Sequence, residues 1–403
     1  MKRFNYKAKN KETGKNIKGS LQAENEMAAG RALVEQGLVP ITIVEEGATN
    51  PLFKLKGRVK AKDRILFTRQ LATLIGAGLP LAASLRTVTD QTQEKGMREV
   101  AEEIIAAVES GKSLYEAFAA HPKIFNGVYL ALIQAGESSG TLDIALKRLA
   151  DQEEKDASVM GDIKGALVYP AIILVVIVAV LAFMMIMVVP QVQQLYEDMG
   201  EELPGLTKFL VAMSTFFGQF WWLVIAVVGG GIFGAIWAVK NTKAGRMVMD
   251  SFKLHAPLFG KMFVKLYVSR FARTAEMMLA SGVPVVDSIT ISINSVSNAV
   301  VEKEYSKSLD LIKSGKPLGE SLEGLNYMLP LVPQMVSIGE ESGKIDEMLG
   351  KAAQVYEDEL ANQIANISTM IEPILMVSMA GVIGIVIGGT LLPIYSLVNS
   401  ISV

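Results

Sequence analysis

Gly111-Lys112-Ser113 has the residue types that close a phosphate-binding loop: a lysine for phosphate and a hydroxyl for its magnesium. The complete loop also needs a glycine at the place held by Ala106, and a strand before it. This stretch lies between helical patterns, and the later copy of it carries Pro317 in place of the serine, so no nucleotide site is read here. A second set of oxygens is Glu137, Ser139 and Asp143, repeated as Glu340, Ser342 and Asp346. Hard oxygens of this kind suit a cation such as calcium. Two or three of them on one turn more often cap helices, so Glu137, Asp143, Glu340 and Asp346 stand only as weak metal candidates. His121 and His255 are the only imidazoles, and there is no cysteine. Ser-His-Asp chemistry, thiol chemistry, disulfides and cysteine metal sites are thereby excluded. The expectation is a protein without catalytic residues and without a cofactor.

The residues that stand out do so in pairs. FTRQLATLIGAGLPLAASL, from Phe67, returns as FARTAEMMLASGVPVVDSI from Phe271, 204 residues later. SGKSLYEAF from Ser110 returns as SGKPLGESL from Ser314 at the same offset. AGESSGTLD from Ala135 returns as IGEESGKID from Ile338, with the offset now 203, and Pro170 and Pro190 match Pro373 and Pro393 at 203. One structural unit has been duplicated. Within each copy Phe67, Leu71, Leu74 and Ile75, and then Phe271, Ala275, Met278 and Leu279, hold the spacing of one helix face. Gly78-Leu79-Pro80 and Gly282-Val283-Pro284 then stop one helix and start the next. Ser113 with Glu116 fits a capping box. About six helices per copy are expected, the last running on toward a membrane.

Half of the 403 residues are hydrophobic and the net charge is −2, so no global charge draws the chain to nucleic acid. Three stretches are free of charge: Gly165 to Tyr196, Phe209 to Val239, and Pro373 to Val403. Each exceeds the roughly 20 apolar residues a bilayer span needs. No charge lies inside them, which argues against a pump or transporter. Glu372, beside Pro373, is the exception at a span's mouth and is a candidate contact to a partner. Glycines gather in the spans: Gly229, Gly230, Gly231 and Gly234 in the second, and Gly381, Gly384, Gly388 and Gly389 in the third. They suit close helix packing, within the chain or against another membrane helix. Lys240, Lys243, Arg246, Lys253, Lys261 and Lys265 follow the second span, while Glu197, Asp198, Glu201 and Glu202 lie between the first two. The basic sides should be cytoplasmic, with the C-terminus outside.

The N-terminal stretch has no apolar signal segment. RFNYKAK, a turn at Glu12-Thr13-Gly14 and NIKGSLQ suggest a hairpin, Asn25–Gln36 a helix and VPITIVE a third strand. Lys54, Lys56, Arg58, Lys60, Lys62 and Arg64 follow as a basic linker. The expected architecture is mainly α, a polytopic membrane protein with two homologous six-helix cytoplasmic bundles, three transmembrane helices and a small α/β module. Its divisions fall at 1–50, a linker 51–63, bundle 64–166, span 167–190, short external loop 191–208, span 209–239, bundle 240–370, span 371–397 and an external tail 398–403.

Taken together, FTRQLATLIGAGLPL, ALIQAGESSGTLD, LVYPAIIL, their partial copies, IEPILMV and the FNYKAKN…TGKNIKGSL stretch resemble the inner-membrane platform proteins of type IV pilus and type II secretion machines, the PilC/GspF family. The resemblance covers nearly the whole chain; Asp162 departs from it, where that family more often has a basic or amide residue. It implies a non-enzymatic bacterial inner-membrane protein that meets a hexameric motor ATPase, pilin or pseudopilin subunits and other inner-membrane assembly proteins, in contact with lipid and as a small homo-oligomer. The repeat-motif residues then become docking candidates: Arg69, Gly78, Pro80, Gly111, Gly136, Glu137, Gly140 and Pro170 in the first copy, and Arg273, Gly282, Pro284, Gly315, Gly339, Glu340, Gly343, Glu372 and Pro373 in the second. A transporter or channel subunit is the rival class.

Overall fold

The computed structural model describes residues 2–10, 16–23, 28, 32–33, 38–45, 59–200 and 203–401. At the N-terminus β1 (Lys2–Asn10) pairs antiparallel with β2 (Asn16–Ala23) and with β3 (Leu38–Glu45), in the order β2-β1-β3. The β1–β3 register slips between Lys7 and Ala8, where Pro40 stands opposite Ala8 with no N–H to give. Ala28, Ala32 and Leu33 are helical. The rest of the helix expected over Asn25–Gln36, the turn at Glu12-Thr13-Gly14, and Lys54, Lys56 and Arg58 lie outside the described residues.

The first bundle comprises α1 (Ala61–Gly76), α2 (Leu81–Gln91), α3 (Lys95–Glu109), α4 (Leu114–Ala119), α5 (Gly127–Ser139) and the start of α6 (Leu142–Phe183). Lys62 and Asp63, read as linker, already belong to α1. Ser113 accepts from the Glu116 N–H at 3.0 Å, and Glu116 accepts in return from the Ser113 N–H at 3.1 Å, closing the capping box. The core is aromatic: Phe118 stacks edge-on against Phe125 at 4.5 Å and Tyr129 at 5.1 Å, over Phe67 and Leu71.

After α6 comes one π turn, Met184–Val188, then α7 (Val189–Met199). Pro190 cannot donate, so the hydrogen-bond ladder widens there. Ser214 of α8 (Gly205–Asn241) donates its hydroxyl to the Met185 carbonyl in that turn. The segment expected as an external loop, 191–208, is therefore helical over most of its length. Val192 and Tyr196 bury against Leu203, and Gly200, at φ 69°, ends the helix. α8 bends at Phe220, whose backbone leaves the helical region.

α9 (Lys243–His255) leads into the second bundle: α10 (Gly260–Ala280), α11 (Val285–Ser295), α12 (Ala299–Tyr305), α13 (Lys307–Lys313), α14 (Leu318–Leu322), α15 (Leu331–Ser342) and α16 (Ile345–Ile401). The expected six helices become seven, because the counterpart of α3 breaks at Ser306. The two cores exchange bulk: Phe118 is matched at 204 residues by Leu322, and Ala101 by Tyr305, which packs on Phe271 at 5.3 Å. Tyr305 donates its hydroxyl to the Tyr327 carbonyl at 2.9 Å, so no polar atom is stranded by its burial. α6, α8 and α16 are each long and apolar enough to cross a membrane. Their large apolar side chains, such as Val175, Phe233 and Val377, are exposed.

Candidate functional site

The repeated GES/GEE motif is a knot between helices. Glu137 accepts the Leu114 N–H at 2.8 Å on Oε1 and the Tyr115 N–H at 3.0 Å on Oε2. Glu340 accepts the Leu318 N–H at 2.5 Å and the Gly319 N–H at 2.8 Å in the same way. Each carboxylate thus caps a short helix from outside it, using both oxygens. Both oxygens of Glu137 and of Glu340 are thus engaged by backbone N–H groups, and no group of three or more metal-ligating side chains gathers around them, Asp143 or Asp346 among the described residues. A Cβ on Gly136 would meet the Ala145 Cβ at 2.7 Å, and one on Gly339 the Ile345 Cα at 2.7 Å. The helix that leads outward can cross its neighbour this closely only where that neighbour has no side chain. Gly140 and Gly343, at φ 72° and 68°, then turn the chain into that helix.

The other paired residues also hold the bundles. Gly78, Gly111, Gly282 and Gly315 have positive φ at helix ends, and Pro80 and Pro284 stand just before α2 and α11. Arg69 reaches Glu154 with Nε at 2.6 Å and Nη2 at 2.7 Å, and Asp151 at 2.6 Å. Arg273 grips Glu357 with Nε at 3.0 Å and Nη2 at 2.7 Å. The Glu154 hydrogen bond is the chief cause that raises Arg69 above the ordinary arginine range. For Arg273, burial works against the charge, and the bonded Glu357 outweighs it. The glutamates keep the repeat register, 203 apart, so pairing charged residues by that register would have found them.

What the sequence did not disclose is the seam between the bundles. α6 and α16 lie side by side. Lys155 donates to Glu357 at 2.5 Å, and Arg270 stands 3.8 Å from Asp156. Met277 and Met278 of α10 join the first core, while Ile163 of α6 joins the second. A cleft of about 610 Å³ opens along the seam beside Arg64, Glu153, Asp156, Lys164 and Arg270, with Arg64 Nε 2.8 Å from Glu153. The two copies of the Gly-x-Pro turn are used differently. Val283 packs against the first core and its turn faces α5, whereas Leu79 in the matching turn is 39% exposed.

Pro170 lies inside α6 and Glu372-Pro373 inside α16, and Glu372 is exposed. The span glycines Gly229, Gly230, Gly231, Gly234, Gly381 and Gly384 have nothing within 4 Å of an added Cβ; Gly389, by contrast, packs on Leu210 of α8.

The same halves appear in comparison with known proteins. The family described as type II secretion system protein F matches residues 67–190 and again 271–393, and that family's N-terminal domain matches residues 1–44. The chain belongs to the type II secretion system protein F family. It is similar to the type IV pilus assembly protein PilC of Thermus thermophilus, 36% identical over 99% of both chains. It is similar to PilC of Pseudomonas aeruginosa, 36% identical over 91% of this chain and 98% of that one. It is also similar to the type II secretion system protein F of Vibrio cholerae, 30% identical over the full length of each. In this member of the protein F family, each half of the tandem match takes in one knotted bundle and the apolar stretch after it: the first ends at Pro190, just past α6 and its π turn, and the second at Pro393 within α16.

Proposed function

We propose that the chain is the inner-membrane platform of a pilus-type machine, joining a cytoplasmic hexameric ATPase to the insertion and extraction of pilin-like subunits in the membrane. The observation that carries this reading is the continuity of α6 and α16. Each leaves a bundle core, passes the Arg–Glu and Lys155–Glu357 contacts, and runs on as an apolar span. A displacement applied to either bundle is therefore transmitted along stiff rods into lipid. The open glycine faces of α8 and α16 suit close packing against other membrane helices, those of the subunits or of a second copy. Neither a catalytic constellation nor a cofactor enters this reading.

The bundles are assigned to the cytoplasm, and the segment around Asp198 and the C-terminus to the outside, on the basic residues after α8 and the acidic ones before it. Glu372 at the mouth of the third span and the exposed turns at Gly78-Leu79-Pro80, Gly111 and Gly315 are our docking candidates, supported by their exposure.

The test uses the cysteine-free background. Lys112→Cys and Lys316→Cys, at exposed turns, carry a photocrosslinker in native membranes. Capture of a hexameric secretion-type ATPase is expected, and Asp198→Cys should react with an impermeant reagent from outside. Absence of any ATPase, together with ion or solute flux through reconstituted protein, would transfer the chain to the channel class.

A further inference from the structure

α9 is an amphipathic helix turned inside out. Asp250 and Leu254 are its buried residues, one turn apart. Asp250 accepts the Ala299 N–H at 3.0 Å and takes Lys253 at 2.9 Å; Arg246 stands 3.8 Å from Glu302. Asp250 and Arg246 thus face the bundle. The opposite face carries Val248 and Phe252, one turn apart, with Gly245 and Met249 beside them. Val248 is 70% exposed and Phe252 67%. A helix packed on a water-soluble surface shows the reverse arrangement.

The direction of that face is fixed by Gly245. A Cβ there would lie 2.5 Å from the Ala238 carbonyl oxygen, at the end of the apolar helix α8. Thr242 ends α8 and caps α9 at once, its hydroxyl accepting the Gly245 N–H at 3.0 Å, so no linker separates the two helices. Gly245, Val248 and Phe252 lie on one side, the side turned against the end of α8. Lys240 and Lys243 flank the junction and are exposed.

We propose that α9 lies in the bilayer surface, with Val248, Met249 and Phe252 sunk among the upper acyl chains. The face follows the apolar surface of α8 across the polar junction at 240–243, and a helix of this length carrying apolar residues on one side and cations at its flank suits the headgroup boundary. The bundle is thereby held at a fixed height and tilt above the membrane, by a contact separate from the spans themselves. This rests on the reading of α8 as a membrane span.

The experiment places an environment-sensitive fluorophore on Val248→Cys or Phe252→Cys in the full chain, reconstituted in phosphatidylcholine vesicles containing phosphatidylglycerol. Phe233→Cys, in α8, and Glu109→Cys, on the far bundle, serve as controls. Several-fold stronger quenching than at Glu109→Cys by a nitroxide carried high on the lipid chain, with shielding from aqueous iodide, is expected at both α9 positions. Iodide quenching equal to that at Glu109→Cys overturns the proposal. Shielding from both quenchers overturns it too, since a protein surface then covers the face. If Phe233→Cys also escapes the lipid nitroxide, the span reading has failed; if Phe233→Cys is quenched and the α9 sites are not, only this proposal has failed.

Discussion

Lys155 of the first repeat donates to Glu357 of the second at 2.5 Å, and Glu357 is the repeat counterpart of Lys155's own neighbour, Glu154. Glu154 holds only Arg69 of its own bundle, whereas Glu357 holds Arg273 of its bundle and Lys155 of the other. The duplicated unit thus holds two like Arg–Glu clamps, and the second also serves the seam.

The two partners of that contact should differ sharply when removed. Lys155 is 42% exposed at its side chain, so Lys155→Ala is expected to cost about 0.5 kcal/mol, as exposed pairs do. Glu357→Gln leaves the mostly buried Arg273 with only the Glu276 carboxylate, 3.5 Å from its Nη1. A cost of about 2 kcal/mol is expected, below the full penalty of a completely buried pair. Thermal unfolding of the two variants and of the double variant in detergent measures the coupling.

Glu137→Ala and Glu340→Ala each strip two backbone N–H groups of their acceptor. A loss of about 1–2 kcal/mol is expected from each, as for a strong helix cap. Because both oxygens of each carboxylate are already taken, adding a chelator or calcium should leave the unfolding temperature of the unaltered chain where it was. A calcium-dependent rise would show that the knot opens to bind metal.

Glycine substitutions should separate close approach from open surface. In Gly339→Ala the new Cβ meets backbone, the Ile345 Cα at 2.7 Å, which cannot rotate away. About 1–3 kcal/mol of destabilisation is expected. Gly76→Ala, at the end of α1 with nothing within 4 Å, should be neutral or stabilising by up to about 1 kcal/mol. Chemical denaturation of both variants reads the contrast.

Glu276 gives the bundle a pH dependence of defined sign. Burial raises its carboxyl above the usual range, against the pull of Arg273 and Arg148. The folded state therefore holds a proton at pH values where the unfolded chain has released it. That contribution favours folding at low pH and is lost as pH rises through the folded-state value. Glu276→Gln removes the titration while Arg273 keeps Glu357. Measured against the unaltered chain across the range just above the usual carboxylate values, the variant should gain relative stability as pH rises. A constant difference would place Glu276 in water.

The repeat carried most of what could be read directly. Two copies at a near-constant offset imply two like folds, and charge-free runs longer than a bilayer imply spans. Both follow from local pattern: helix period, turn glycines and apolar length are properties of contiguous residues. The Ser113–Glu116 box was legible for the same reason. The role of Glu137 was not, because its partners Leu114 and Tyr115 lie 23 and 22 residues away across a turn. An acidic residue near a helix end looks alike in sequence whether it binds a cation or a backbone N–H.

The sequence by itself determined the duplicated helical unit and the three apolar helices. The tertiary structure decided how the copies differ: which glutamate serves both bundles, which Gly-x-Pro turn is covered, and which face of α9 is left apolar. Those outcomes depend on how two similar bundles are placed against each other by Lys155, Arg270, Met277 and Met278. Placement is a sum of contacts between residues far apart in the chain, and a repeat is blind to it, because the repeat records what the copies share.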